Sequence, residues 1–108
     1  MWAGFDWRKL VATLEDVRTW NRWGANVGLR SDSFPAIDID CADEALSQII
    51  QDAALAQVGE APVRIGNFPK RLLPYRLEGP PFGKMRLWMQ RGEDHYLVEI
   101  LAQGQQYL

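Results

Sequence analysis

Apolar residues in the first twenty positions recur at helical spacing. Trp7, Leu10, Val11, Leu14 and Val17 fall on one face of a helix predicted over Phe5 to Trp20, with Asp6 as its N-cap. Gly24 sits in the break that follows. Asn26 to Arg30 reads as a short strand, and Ser31-Asp32-Ser33-Phe34-Pro35 as a turn. Ala36 to Cys41 then alternates with period two. Ile37, Ile39 and Cys41 share one face, and Asp38 and Asp40 the other. The two strands are expected to form an antiparallel hairpin. Asp43 to Val58 is the clearest helix, with Leu46, Ile49, Ile50, Ala53 and Val58 as its stripe and Gly59 as its stop.

The second half is strand-rich. Val63 and Ile65 suggest a strand over Pro62 to Gly66, and Asn67-Phe68-Pro69 a turn. Leu72 to Leu77 is strand-like, but Pro74 argues against a central place in a sheet. Gly79 to Gly83 is a loop. Lys84 to Met89 alternates basic and apolar residues until Trp88, and Arg91 to Asp94 suits a hairpin turn. His95 to Leu101 puts Tyr96, Val98 and Ile100 on one face and Leu97, Glu99 and Leu101 on the other. The chain ends on Gln105 to Leu108, at or beside another strand. The order helix, two strands, helix, then about four strands implies an α+β fold with a mainly antiparallel sheet. At 108 residues a single domain is expected.

Charge changes the picture through its distribution. The formal net charge is −2. Ser31 to Glu60 holds Asp32, Asp38, Asp40, Asp43, Glu44, Asp52 and Glu60, with no Lys or Arg. Ala61 to Gly92 holds Arg64, Lys70, Arg71, Arg76, Lys84, Arg86 and Arg91, opposed only by Glu78. Two solvated faces that pair in the fold would explain this. So would a cation-binding cluster facing an anion-binding strip, as enzymes acting on nucleotide phosphates require. One cysteine, Cys41, excludes an intrachain disulfide framework and reads as core. The apolar runs are too short to span a membrane, and the start lacks a signal-peptide layout, so a cytoplasmic protein is expected.

Three groups can carry chemistry. Asp38 and Asp40 lie on one strand face with Cα atoms ~6–7 Å apart, within reach of one divalent ion or two neighbouring ones. An exposed polar strand face is the plainer alternative. Glu99, a lone acid among strong strand formers, faces water, a partner or a metal. If its strand neighbours Asp38 and Asp40, three carboxylates converge. The run from Arg64 through Gly66, Lys70 and Arg71 to Arg76 suits phosphate, or else a basic edge strand that resists aggregation. His95, beside Glu93 and Asp94, reads as a surface residue. Trp88, between Arg86 and Arg91, can stack a base.

Four segments in this order resemble one family. They are Ala25-Asn26-Val27-Gly28-Leu29-Arg30, Ala36-Ile37-Asp38-Ile39-Asp40, Val63 to Arg76, and Val98 to Gln106. Residues 20–108 resemble the bifunctional DNA primase/polymerase (prim-pol) domain of the archaeo-eukaryotic primase superfamily, as carried by phages, plasmids and integrated elements. The resemblance implies an RRM-like catalytic core with helices packed on one face of the sheet. It implies Mg²⁺ or Mn²⁺ held by Asp38, Asp40 and Glu99, and primer synthesis and extension from NTPs or dNTPs on a DNA template, with a replicative helicase as partner. Arg64, Lys70 and Arg76 would bind nucleotide phosphates, and the Gly28 strand would lie beside the site. Many members carry a Ser-x-His motif, whereas Arg64 to Lys70 has no histidine. Family domains also run longer at both ends, so the chain is expected to be a trimmed core. A non-catalytic nucleic-acid-binding RRM-like module, or a metal-dependent nuclease using the same acids, are the alternatives.

Overall fold

A computed structural model describes residues 10–26 and 28–107. Its elements are α1 (Leu14–Arg22), β1 (Leu29–Arg30), β2 (Ala36–Asp40), α2 (Glu44–Val58), β3 (Arg71–Pro74), β4 (Met85–Arg91), β5 (Asp94–Leu101) and β6 (Gln106–Tyr107). Four strands form an antiparallel sheet in the order β3-β2-β5-β4, and β1 pairs with β6 in a separate two-stranded sheet. The fold is α+β with mainly antiparallel sheet.

The period-two pattern of β2 gives the main sheet two different faces. Ile37 and Ile39 lie with Cys41, Leu73 and Tyr96 under Leu46, Ile50, Ala54 and Leu55 of α2. Ile39, Cys41 and Leu73 are fully buried. The helix starts where expected, because the Asp43 side chain accepts the Leu46 N–H at 2.9 Å. Gly59 ends it at φ 124°, a conformation that favours glycine. The buried stripe differs from the expected one. Ile49, Ala53 and Val58 are exposed, while Ala54 and Leu55 face the sheet. Polar contacts complete the junction: Ser47 Oγ donates to Pro69 O at 2.8 Å, and Arg71 donates to Gln48 at 2.6 Å and Gln51 at 2.5 Å.

The other face divides into two halves. At one end Ala36, Leu72 and Leu101 pack against Tyr107 of the small sheet. The other end carries Asp38, Asp40 and Glu99. The expected hairpin of Asn26–Arg30 with Ala36–Cys41 does not form. Both edges of β2 are taken, by β3 and β5, and β1 pairs with β6 at the far end of the chain. The connection between them is held elsewhere. Ser31 N–H donates to Gln105 O, Gly104 N–H donates to Asp32 Oδ1 at 2.8 Å, and the Tyr107 hydroxyl donates to Phe34 O at 2.7 Å.

Other expectations shift at their ends. The strand expected over Pro62 to Gly66 shrinks to a single bridge, Arg64 to Leu72, on the outer edge of β3. β3 stops at Pro74, as a residue without an N–H requires. Gly92, at φ 63°, supplies the positive φ of the tight β4–β5 turn. The first helix begins later than expected. Thr13 is its N-cap, in a capping box with Asp16. Phe5, the expected N-cap Asp6, and Trp7 lie outside the described residues. Val11, Leu14 and Val17 do not form a core stripe, and α1 buries no side chain. Among the described residues, no helix is long and apolar enough to cross a membrane.

The two helix caps therefore differ in their coupling to the core. Asp43→Ala is expected to lower global stability by about 1 kcal/mol, read as a shifted denaturant midpoint. Thr13→Ala is expected to reduce the helical circular-dichroism signal and leave that midpoint unmoved, because α1 buries no side chain. Equal midpoint shifts for both would contradict this packing.

Candidate active site on the open sheet face

The register of β2 with its neighbours assembles the candidate site. Asp38 lies directly opposite Glu99 on β5, and Glu99 directly opposite Arg86 on β4. On the other side Asp38 pairs with Leu72, and Leu72 with Arg64. One row across the sheet thus reads Arg64, Leu72, Asp38, Glu99, Arg86. Directly opposed residues share a face, with Cβ atoms ~4.5–5.5 Å apart. Asp40 is one strand repeat along and lies on the same face.

Cations meet these acids from both edges. Lys70 Nζ lies 2.7 Å from Asp40 Oδ1. Lys84 Nζ lies 2.5 Å from Glu99 Oε2, with Arg86 Nε at 3.5 Å from the same oxygen. The Glu99 side chain is only 15% exposed. Its Oε2 is buried and, despite the close lysine, has no hydrogen bond of good geometry among the described residues. Its charge is compensated while its lone pairs lack a directional partner.

Among the described residues Asp38 has no ion pair of its own. Its carboxyl pKa is raised above the usual aspartate value, first by burial and then by the negative charges of Asp40 and Glu99; Arg64 and Lys84 oppose the shift. The Lys70 pKa is raised by its hydrogen bond and attraction to Asp40.

The donor set is suited to a hard divalent cation. It is all oxygen, it lies on one face, and one buried carboxylate oxygen lacks a directional partner. As the side chains stand, no group of three or more His, Cys, Asp or Glu residues among the described residues is gathered closely enough to hold a metal. The lysines account for this physically: Asp40 is engaged from the β3 side and Glu99 from the β4 side. A cation would compete with two ammonium groups for these oxygens.

The remaining expected residues divide. Arg64 and Lys70 border the acids. Arg76 does not, since it lines a cleft with Pro35, Ala36 and Phe82 at the opposite end of the sheet. Gly28 immediately precedes β1 of the small sheet, which packs on the carboxylate face but at its Ala36–Leu101 end. Arg71 leaves the basic strip altogether, being buried against α2.

Lys84 and Arg86 are site residues that the motif reading passed over. Their signal was present in the Lys84-x-Arg86-x-Trp88 alternation, which puts Arg86 and Trp88 on one face of β4. Beyond Asp40 the face opens into a cleft of about 520 Å³ lined by Asp43, Lys70, Trp88, His95 and Leu97. His95 is exposed, as expected, but sits on this cleft.

The raised Asp38 pKa gives a signed prediction. The folded protein keeps this carboxyl neutral to a higher pH than the unfolded chain does. Ionisation therefore costs stability as pH rises through the raised value, and costs nothing below the ordinary 3.8, where both states are protonated. Without added metal at pH 7, Asp38→Asn is expected to stabilise the protein by about 1 kcal/mol, raising Tm by roughly 4 °C or more. The difference should shrink as pH falls toward 4. A variant less stable than wild type at pH 7 would show that Asp38 is held by net favourable contacts instead.

Comparisons of the chain with protein-family models, with curated proteins and with solved structures found no match.

Proposed function

We propose that the chain is a prim-pol-type nucleotidyltransferase core. The observation that carries this reading is the cross-strand pairing of Asp38 with Glu99, with Asp40 on the same face, bordered on both sides by Arg and Lys. Asp38, Asp40 and Glu99 would hold Mg²⁺ or Mn²⁺. When bound, such ions supply Lewis-acid charge to phosphoryl oxygens and to an attacking hydroxyl. Arg64 offers a planar fork for phosphate oxygens, and Arg86, only weakly paired at 3.5 Å, offers a second. Lys70 and Lys84 balance the acids and can turn to phosphate once a metal takes the carboxylates. A DNA template, NTP or dNTP substrates, a helicase partner and a cytoplasmic setting belong to this reading.

A second reading rests on a specific observation. Because Lys70 and Lys84 already neutralise Asp40 and Glu99, the face can be a non-catalytic nucleic-acid-binding surface. Such a module binds DNA with strong salt dependence and without need of metal.

Primer extension separates the readings. On a primed template with Mn²⁺ or Mg²⁺, incorporation is expected, and Asp38→Asn, Asp40→Asn and Glu99→Gln should each lower it by about 100-fold or more. Salt-sensitive DNA binding with no incorporation, unchanged by Asp40→Asn and weakened by Lys70→Ala, would support the binding module instead. Release of labelled mononucleotides without extension would make the site a nuclease.

A further inference from the structure

Trp88 is 65% exposed, on the edge strand β4, which leaves Met85 and Leu87 exposed on its other face. A large aromatic in water at the rim of a cleft forgoes burial that a core position would give it. Its neighbours are specific. It lies opposite Leu97, one strand repeat from the Arg86–Glu99 pair and on the same face. The repeat is ~6.5 Å, close to the separation of phosphate and base within a nucleotide. The cleft beside it, about 520 Å³, falls in the size range of small-molecule sites. Besides Leu97 and the indole of Trp88, its lining is mainly polar and charged, with Asp40, Asp43, Asp94, Lys70 and His95.

The geometry points to a nucleobase pocket: Trp88 stacks the base of a nucleotide whose phosphates lie over the Asp38–Glu99 row. Leu97 forms the floor, and His95, on the same face of β5, is placed to meet polar atoms on the base or sugar. The order along the face is then cations and carboxylates for phosphate, followed by an aromatic platform for the base. Stacking is tolerant of base identity, because every base presents a π-face. Trp88 contacts substrate here without taking part in bond making. The inference rests on the nucleotidyltransferase reading for where the phosphates sit, but the pocket itself does not need catalysis.

Calorimetric titration with ATP, inorganic tripolyphosphate and adenosine, each with Mn²⁺ present, tests it. Wild type should bind ATP more tightly than tripolyphosphate. Trp88→Ala should weaken ATP about 10-fold or more, leave tripolyphosphate unchanged, and abolish adenosine binding. Trp88→Phe should keep most of the ATP affinity. Because the indole is largely in water, both variants should melt as wild type does. Equal ATP affinity in wild type and Trp88→Ala, with tripolyphosphate binding as tightly as ATP, would overturn the pocket and leave the phosphate site standing. Adenosine binding that depends on Trp88, with no tripolyphosphate binding, would support the pocket while contradicting the phosphate role of the acidic row. No binding of any of the three would overturn both.

Discussion

Two carboxylates directly opposed across an antiparallel ladder are the constraint around which the site is arranged. Like charges at that spacing repel, and partial burial of Asp38 and Glu99 strengthens the repulsion. The surroundings carry the compensation. Lys70, Lys84 and Arg86 reach the acids from the sheet edges, and Arg64 acts on Asp38 at longer range. Even so, the Asp38 carboxyl is pushed toward its neutral form. A chain selected for stability alone would place Asn or Thr there. The cost is intelligible if a divalent cation completes the electrostatics.

The rest of the sheet fixes this pairing. One face of β2 is locked by α2, through Ile39, Cys41 and Leu73 and through the Arg71 bonds to Gln48 and Gln51. A slip of one residue would turn Ile39 outward and Asp38 into the core. Burial on one side therefore sets the register that opposes the acids on the other. Tyr107 and the small sheet cover the Ala36–Leu101 end of the acidic face and leave its other end open to the cleft.

Local pattern was enough to read β2, β5 and α2, and with them the shared face of Asp38 and Asp40. Placing Glu99 beside them required knowing that β2 and β5 are neighbours, which the order of elements suggested but did not fix. Partner choice is where local reading failed. The nearest strand in sequence to β2 is β1, yet β1 pairs with β6, whose Tyr107 has the apolar surface to close the core. Charge misled in the same way. Arg71, Lys70 and Arg76 look alike in a basic run, but one is buried against a helix, one meets Asp40, and one sits at the far end of the sheet. Such differences arise from alternation and strand ends, which a charge count does not register.

The central claim is that Asp38, Asp40 and Glu99 act together as a divalent-cation site, displacing the lysines that hold two of them. Paramagnetic broadening of backbone amide NMR signals by substoichiometric Mn²⁺ tests this most directly. Signals of residues 38–40 and 98–100 should broaden first, and Asp40→Asn should abolish the effect. Broadening led by surface acids such as Asp52 and Glu60, or no selective broadening, would contradict the claim.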